Sequence, residues 1–247
     1  MRILLAGYGS MGKEIEKILI SRGHTLAGII DPVVEGAHKE ISAAVLADAD
    51  VVIDFSSPSA VLKNCEAYAK GNTPVVFGTT GWEDKRDQIR EMIEKSGIGF
   101  VWGSNFSIGA HMLFKIAAYA SAMINAVPEY DILVHELHHK RKKDSPSGTA
   151  ITLAEKILAA NNRKTEIVTQ CLDRRIEDHE LHVSSTRGGE IPGIHTVYLD
   201  SLADTIEITH SARSRSGFAL GAVMAAEWVK DKHGFLSVDD FIKETLA

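Results

Sequence analysis

Apolar and polar positions along the first hundred residues switch repeatedly between two periods. Ile3 to Ala6 form a short continuous apolar run that enters Gly7, Gly9 and Gly12 directly, and Ile15, Ile18 and Leu19 then recur at helical spacing. HTLAGIID predicts a second strand ending at Asp31, and Val51 to Phe55 a third. A helix is expected to start at Ser57-Pro58 and to run through Ala60, Val61, Asn64, Cys65 and Tyr68. TPVVFGTTGW gives a strand through Phe77 and a polar corner at Gly78-Thr79-Thr80-Gly81. Ile89, Met92 and Ile93 mark another helix, and GIGFVWGSNFS a fifth strand ending at Ser104-Asn105-Phe106. Strands alternating with helices imply a parallel sheet with right-handed crossovers, whose ligands sit beyond the carboxyl ends of the strands.

The pattern changes at Gly109. GAHMLFKIAAYASAMI is apolar on most faces and predicts a long, largely buried helix in which His111 is structural. EYDILVHE follows as a strand, and Ile151, Ala154, Ile157 and Leu158 mark a helix ending near Asn161. EIVTQ, LHVSST, HTVYLD and TIEITH are β-prone runs with no long helix between them, punctuated by turns at Gly188-Gly189 and Pro192-Gly193. They predict an antiparallel or mixed sheet packed on helices. SGFALGAVMAAEWV returns to a helical pattern, and a capped terminal helix starts at Ser237.

Composition narrows the class. The chain has 247 residues, 45% apolar and 24% charged, which suits one large or two small globular domains. A net charge of -6 argues against a general nucleic-acid binder. Cys65 and Cys171 are too few for a disulfide framework and are expected to be buried and reduced. No apolar run approaches a membrane span, and motif-bearing sequence begins almost at Met1, so a cytoplasmic protein is expected.

Gly7, Gly9 and Gly12 satisfy G-x-G-x-x-G between a strand and a helix, with Asp31 downstream. Gly7 permits the tight turn, Gly9 lets a pyrophosphate reach the backbone, and Gly12 allows close helix–strand packing. Asp31 lies where a carboxylate would accept hydrogen bonds from the adenosine ribose. A plain strand–helix turn is the alternative.

The stretch ELHHKRKKDSPSGTA, Glu136 to Ala150, runs from a strand end to a helix start. Ser145 or Ser147 can cap that helix, and the first-turn N–H groups of Gly148 and Thr149 would attract an anion beside Lys142. An ordinary capped helix would read the same way. His138 and His139 can exchange protons near neutrality. The run from Lys140 to Lys143 is equally a solvated basic loop. Adjacent histidines lack the usual metal-ligand spacing, and no metal is expected.

Glu136, His138, His139, Lys142, Asp144, Pro146, Ser147, Gly148 and Thr149 together resemble the signature of the dihydrodipicolinate (4-hydroxy-tetrahydrodipicolinate) reductase family. RGGEIPGIHTV and ITHSARSRSGFALGA are similar to that family too, so the resemblance spans essentially the whole chain. It implies an α/β fold: a Rossmann-type nucleotide domain, residues 1–108 plus 216–247, with an inserted α+β domain, 109–215, for substrate and oligomerisation. The implied reaction is NAD(P)H-dependent reduction of a cyclic dicarboxylate to tetrahydrodipicolinate, with no nucleic-acid or membrane partner and a homotetrameric assembly. Carried over residue by residue, His138 is the acid/base group and Lys142 the proton donor. His139, Lys142, Ser147, Gly148 and Thr149 would hold the substrate. The cofactor would meet Gly7, Tyr8, Gly9, Ser10, Met11, Gly12, Asp31, Gly78, Thr79, Thr80, Ser104, Asn105 and Phe106. The domains are expected to draw together on binding. Lys140 and Lys143 receive no role, and His179, His182, His195 and His210 are expected to be structural.

Cofactor choice follows from charge. Pro32, Val33, Val34 and Glu35 offer no cation beside Asp31, Ser10 stands where many relatives carry arginine, and Lys13 is the nearest candidate by sequence. NADH is therefore expected to be preferred, with NADPH also accepted. A dinucleotide sensor without catalysis would keep the glycine motif but would not need His138 and Lys142 together.

Overall fold

The computed structural model describes residues 1–246. The chain divides into two compact units: residues 1–108 with the segment from Arg215 onward, and Gly109–Ser214.

The first unit contains β1 (Arg2–Ala6), α1 (Ser10–Ser21), β2 (Thr25–Ile30), α2 (Ala43–Ala47), β3 (Val51–Asp54), α3 (Val61–Lys70), β4 (Val75–Phe77), α4 (Arg86–Ser96) and β5 (Gly99–Trp102). A later stretch of the chain adds α7 (Ser216–Val229), β11 (Gly234–Ser237) and α8 (Val238–Thr245) to it. Its six strands are parallel, in the order β11-β5-β4-β3-β1-β2. Central strands covered on both faces lose polar alternation, and every residue of β3 and β4 is buried. One core joins Ile3, Leu5 and Ile53 to Ile15 and Leu19 of α1 and Val223 of α7. The other joins Leu4 and Val52 to Cys65 and Tyr68 of α3 and Ile89 and Ile93 of α4. This is a Rossmann-type sheet with helices on both faces.

The second unit contains α5 (Ile108–Met123, entered from the first unit), β6 (Asp131–His138), α6 (Gly148–Ala160), β7 (Glu166–Val168), β8 (Glu180–Arg187), β9 (Ile194–Asp200) and β10 (Thr205–Ser211). Its mixed sheet has the order β10-β9-β6-β8-β7, with β9 antiparallel to β6 and β10, and β8 parallel to β6 and β7. Burial alternates along β6, so Ile132, Val134, Glu136 and His138 share the face covered by α5 and α6. Leu113 and Phe114 of α5 and Leu153 and Ile157 of α6 fill that core.

Several local expectations need correction. β3 stops at Asp54 and β5 at Trp102, before the polar and glycine positions that turn the chain away. A single 3-10 turn, Pro58–Ala60, precedes α3. α5 is buried on one face only: Met112, Ile116, Tyr119 and Met123 are 47, 48, 71 and 59% exposed. Cys65 is buried, but Cys171 lies exposed on the connection between β7 and β8. The segment leading into the terminal helix, given no element in the sequence, forms the short strand β11, paired with β5. Ser237 caps α8 as expected, in a reciprocal capping box with Asp240. Among the described residues no helix is long and apolar enough to cross a membrane.

Candidate active site

The glycine loop of the first unit is built by close contacts that exclude side chains. Gly7 has φ +86°, and a Cβ there would lie 2.2 Å from the Phe55 carbonyl oxygen. A Cβ on Gly12 would lie 2.4 Å from the Gly7 carbonyl oxygen, so α1 touches its own loop through bare backbone. Gly9 differs: a Cβ there would meet nothing within 4 Å. It forms the N-terminal cap of α1 with no side chain closing the helix end. An open glycine before an uncapped helix start fits a pyrophosphate. Ser10 is exposed beside it, while Met11 is half-buried and its side chain packs on the core.

Asp31 binds more than a ribose would require. One carboxylate oxygen accepts from Tyr8 N at 2.9 Å, and the other from Val33 N at 2.9 Å and Val34 N at 3.2 Å. These backbone donors, Tyr8 first, hold its pKa below the usual range, with Lys39 contributing. A carboxylate has about four acceptor sites, so one is left for a ligand. Lys39 was missed in the sequence. The tight loop after β2 returns His38 against Ile30 in a parallel bridge, and Lys39 Nζ donates to Val34 O at 2.6 Å. A cation therefore stands near Asp31 although none is adjacent in sequence.

Thr79, Thr80 and Ser104 line one cavity of about 100 Å³ at the ends of β4 and β5. Gly78 lies against the Phe55 ring, where a Cβ would be 2.2 Å away. Thr79 is buried, and its hydroxyl donates to Asp54 at 2.8 Å and accepts from Ser56 N at 2.8 Å. Asp54 also accepts from Tyr68 OH at 2.7 Å and from Asn64 at 3.1 Å. Thr79 is thus a clamp on the loop, while Thr80 is exposed. Asn105 accepts from Ser107 N at 2.8 Å. Phe106 is 1% exposed and its ring is core, edge-on to Phe55, so a cofactor could meet only its backbone.

The second unit gathers the proton-bearing residues around Glu136, whose side chain is fully buried. Glu136 Oε1 accepts from Arg187 Nη2 at 2.7 Å and from Ser147 N at 2.8 Å. Oε2 lies 2.9 Å from His138 Nδ1 and 3.5 Å from His195 Nε2. Ser147 caps α6 by accepting from Ala150 N at 3.1 Å, and its hydroxyl is 3.2 Å from His195 Nε2. Burial alone would raise the Glu136 pKa, but hydrogen bonds from His195, Ser147 and Arg187 outweigh it and hold the group ionised well below the usual carboxylate range. His138 is pushed down to about 4, first by burial; Glu136 opposes this, while His195, Lys142 and Arg187 add to it. Its imidazole is neutral at pH 7 in the unliganded chain.

Lys142 projects from the following loop, 24% exposed, with Nζ 2.9 Å from Asp144 Oδ1. Asp144 is held below the usual carboxylate range by Lys142 first, with the Gly148 N–H among its donors. The α6 start is therefore not an empty anion site. Glu136 takes Ser147 N, Asp144 takes Gly148 N–H, and Ser147 takes Ala150 N. The chain's own carboxylates fill the positive end of the helix until a ligand competes. Gly148 is exposed, Thr149 is half-buried, and His139 is anchored by its N–H to Ile191 O at 2.8 Å.

His195 and Arg187 are the residues that sequence reasoning left out. They enter the cluster because β8 and β9 flank β6, with Arg187 in register with His138 and His195 with Glu136. The Gly188-Gly189 and Pro192-Gly193 turns between them were the visible signal of that return.

A parallel sheet with a glycine-cradled helix start in one unit, and a buried carboxylate–imidazole cluster in the other, are the features of a nicotinamide-dependent oxidoreductase. Family models describing the N-terminus and C-terminus of dihydrodipicolinate reductase match residues 1–106 and 109–242. A curated 4-hydroxy-tetrahydrodipicolinate reductase from Christiangramia forsetii is 41% identical over 99% of this chain and 98% of its own length. Another from Desulfovibrio desulfuricans is 37% identical over 92% of each chain. In fold, the chain is similar to a dipicolinate-bound dihydrodipicolinate reductase from Paenisporosarcina sp. TG-14, with TM-score 0.77, 20% identity and coverage of 96% and 97%. The chain belongs to the dihydrodipicolinate reductase family. Its function is NAD(P)H-dependent hydride transfer in lysine and diaminopimelate biosynthesis.

Proposed function

We propose that this chain reduces 4-hydroxy-tetrahydrodipicolinate to tetrahydrodipicolinate, taking up a hydride and a proton while the 4-hydroxyl leaves as water, with NADH preferred over NADPH and without a metal. His138 serves as the acid/base group and Lys142 as the proton donor, and His139, Lys142, Ser147, Gly148 and Thr149 hold the substrate carboxylates. The observation that carries this reading is the buried Glu136–His138 contact of 2.9 Å, two strand residues before a loop that presents Lys142. The chemistry a bound dinucleotide supplies is a hydride. The chain's own part is to hold a neutral imidazole by its Nδ1, to offer an ammonium proton, and to pair dicarboxylate charge with Lys142 and the α6 start. A substrate carboxylate would replace Asp144 as partner of Lys142 and Gly148. The absence of a metal is supported by Arg187, which already gives Glu136 the positive charge that an ion bound by Glu136, His138 and His195 would supply.

The dinucleotide is assigned to Gly7, Tyr8, Gly9, Ser10, Met11, Gly12, Asp31, Gly78, Thr79, Thr80, Ser104, Asn105 and Phe106. Met11, Thr79 and Phe106 act through backbone or packing, because their side chains are engaged. Residues 1–108 with 216–247 form the nucleotide domain, and 109–215 the substrate and oligomerisation domain. A cytoplasmic homotetramer is the assembly we infer; the exposed apolar stripe Met112, Ile116, Tyr119 and Met123 supports self-association of the inserted unit.

Two results test the details. Pyridine-2,6-dicarboxylate, a planar mimic of the substrate, is expected to inhibit competitively against it. Thr149→Val keeps the shape and removes the hydroxyl, and should weaken that inhibitor by roughly 1–3 kcal/mol. An unchanged inhibition constant would move the carboxylate site elsewhere. Asp31→Ala should raise the efficiency of NADPH relative to NADH, and Lys39→Ala should lower it, each by about tenfold per 1.36 kcal/mol of altered charge interaction. A wild-type preference for NADPH, or ratios of kcat/KM that both variants leave untouched, would take cofactor choice away from this pair.

A further inference from the structure

We propose that Glu136 and His195 are positioning residues: Glu136 fixes the ring and tautomer of His138 from the Nδ1 side, and His195 shares the same carboxylate oxygen and so sets how firmly His138 holds a proton. This rests on the reading of His138 as the acid/base group.

Glu136 is anchored at one oxygen and divided at the other. Arg187 Nη2 and Ser147 N hold Oε1 at 2.7 and 2.8 Å, which fixes the carboxylate plane. Oε2 is left between two imidazoles, 2.9 Å from His138 Nδ1 and 3.5 Å from His195 Nε2, with the rings edge to face at 5.2 Å. Oε2 and His138 Nδ1 are both buried, 2.9 Å apart, and neither has a hydrogen-bond partner elsewhere or an aligned hydrogen bond to the other among the described residues. Such a pair can be satisfied only by each other or by His195. The opposite edge of His138 faces Gly193, where a Cβ would lie 2.9 Å from Nε2. The bare glycine leaves the Nε2 edge uncovered by any side chain at that position, so a proton bound toward Glu136 at Nδ1 leaves Nε2 as the working nitrogen.

Four ionisable groups face His138, each from a different place. They are Glu136 on its own strand, His195 from β9, Arg187 from β8 and Lys142 from the loop after β6. Glu136 alone favours the imidazolium. His195 competes for Oε2, and it is itself backed by His210, its register partner on β10. Removing His195 would leave Oε2 to His138, which should then bind its proton more tightly. Removing the Glu136 charge would leave His138 among cations, which should loosen the proton. The two changes act in opposite directions, and a role confined to packing predicts no such opposition.

The test is an NMR titration of the full chain labelled in its histidine rings, with the His138 signal assigned by its loss in His138→Gln. His195→Leu is expected to raise the midpoint of His138 by about one unit, and Glu136→Gln to lower it. His195→Gln retains an N–H near the position of Nε2 and should restore the wild-type midpoint. Each variant is first checked for NADH binding and thermal unfolding, so that a misfolded Glu136→Gln leaves the Leu and Gln variants of His195 to decide. Midpoints that do not move, or that move the same way in the Leu and Glu136→Gln variants, would overturn the proposal. Wild-type turnover in His138→Gln would instead overturn the acid/base assignment, while the titration would still report on the carboxylate.

Discussion

Lys142→Ala is expected to lower kcat by about two to four orders of magnitude, the range for losing positioned acid catalysis, while NADH affinity stays within about twofold. The structural reason is separation of roles. Lys142 lies on the loop after β6, half-buried, with Asp144 as its charged partner, and no strand or helix core depends on it. Its loss leaves Asp144 on the surface, where an unpaired carboxylate costs little. The first unit, with the glycine loop, is untouched in sequence. His138→Ala should also lower turnover more than cofactor affinity. It removes a buried ring and leaves Glu136 Oε2 with His195 alone, so some loss of stability should accompany it. Steady-state rates at saturating substrate, with cofactor affinity by fluorescence titration, check both variants. Rates near wild type in both would remove this site from the mechanism.

Gly12→Ala is expected to raise the NADH dissociation constant by at least about tenfold and to lower the melting temperature by several degrees. Its Cβ would sit 2.4 Å from the Gly7 carbonyl oxygen and 3.3 Å from the Tyr8 ring. The first contact is backbone, so the helix must retreat from the loop, and its N-terminus leaves the place proposed for the phosphates. Gly9→Ala provides the contrast. Nothing lies within 4 Å of a Cβ there, so the free protein should melt as wild type does. The methyl group would nonetheless stand at the uncapped start of α1 and weaken NADH. Equal NADH affinity in wild type and both variants, measured by calorimetry, would place the pyrophosphate elsewhere.

Contrast between elements explains what the sequence could disclose. β1 and β3 were legible because both faces are covered, so their residues form continuous apolar runs. The glycine loop was legible because the spacing of Gly7, Gly9 and Gly12 between a strand and a helix is local, although the contact that excludes a side chain at Gly7 comes from Phe55, far along the chain. β11 was hidden: its four residues are half-buried at a sheet edge and pair with β5, which lies far earlier in the chain. The α5 stripe was misread because apolar composition cannot distinguish a core face from a face left open in one chain.

The same limit applies to the site. Ser147 could be recognised as a helix cap from its neighbours, and the signature around His138 and Lys142 from its spacing. The engagement of Ser147 N by Glu136 could not, because it depends on where the strand end meets the helix start. His195 and Arg187 reach Glu136 through sheet register, and a lone histidine on a strand carries no mark of what stands across from it. Lys39 was overlooked for a related reason: the loop after β2 doubles back, so the cation near Asp31 comes from eight positions further along.

The chain moves a hydride from the dinucleotide to the cyclic dicarboxylate. The most direct measurement supplies NADH deuterated at the transferring position of C4 to the enzyme, together with substrate generated in place by the condensing reaction that makes it, and weighs the product by mass spectrometry. Tetrahydrodipicolinate heavier by one deuterium is expected, formed in step with cofactor oxidation, with Lys142→Ala giving the same labelled product far more slowly. Cofactor oxidation with no deuterium in the product, or labelled product formed as fast without Lys142 and His138 as with them, would contradict it.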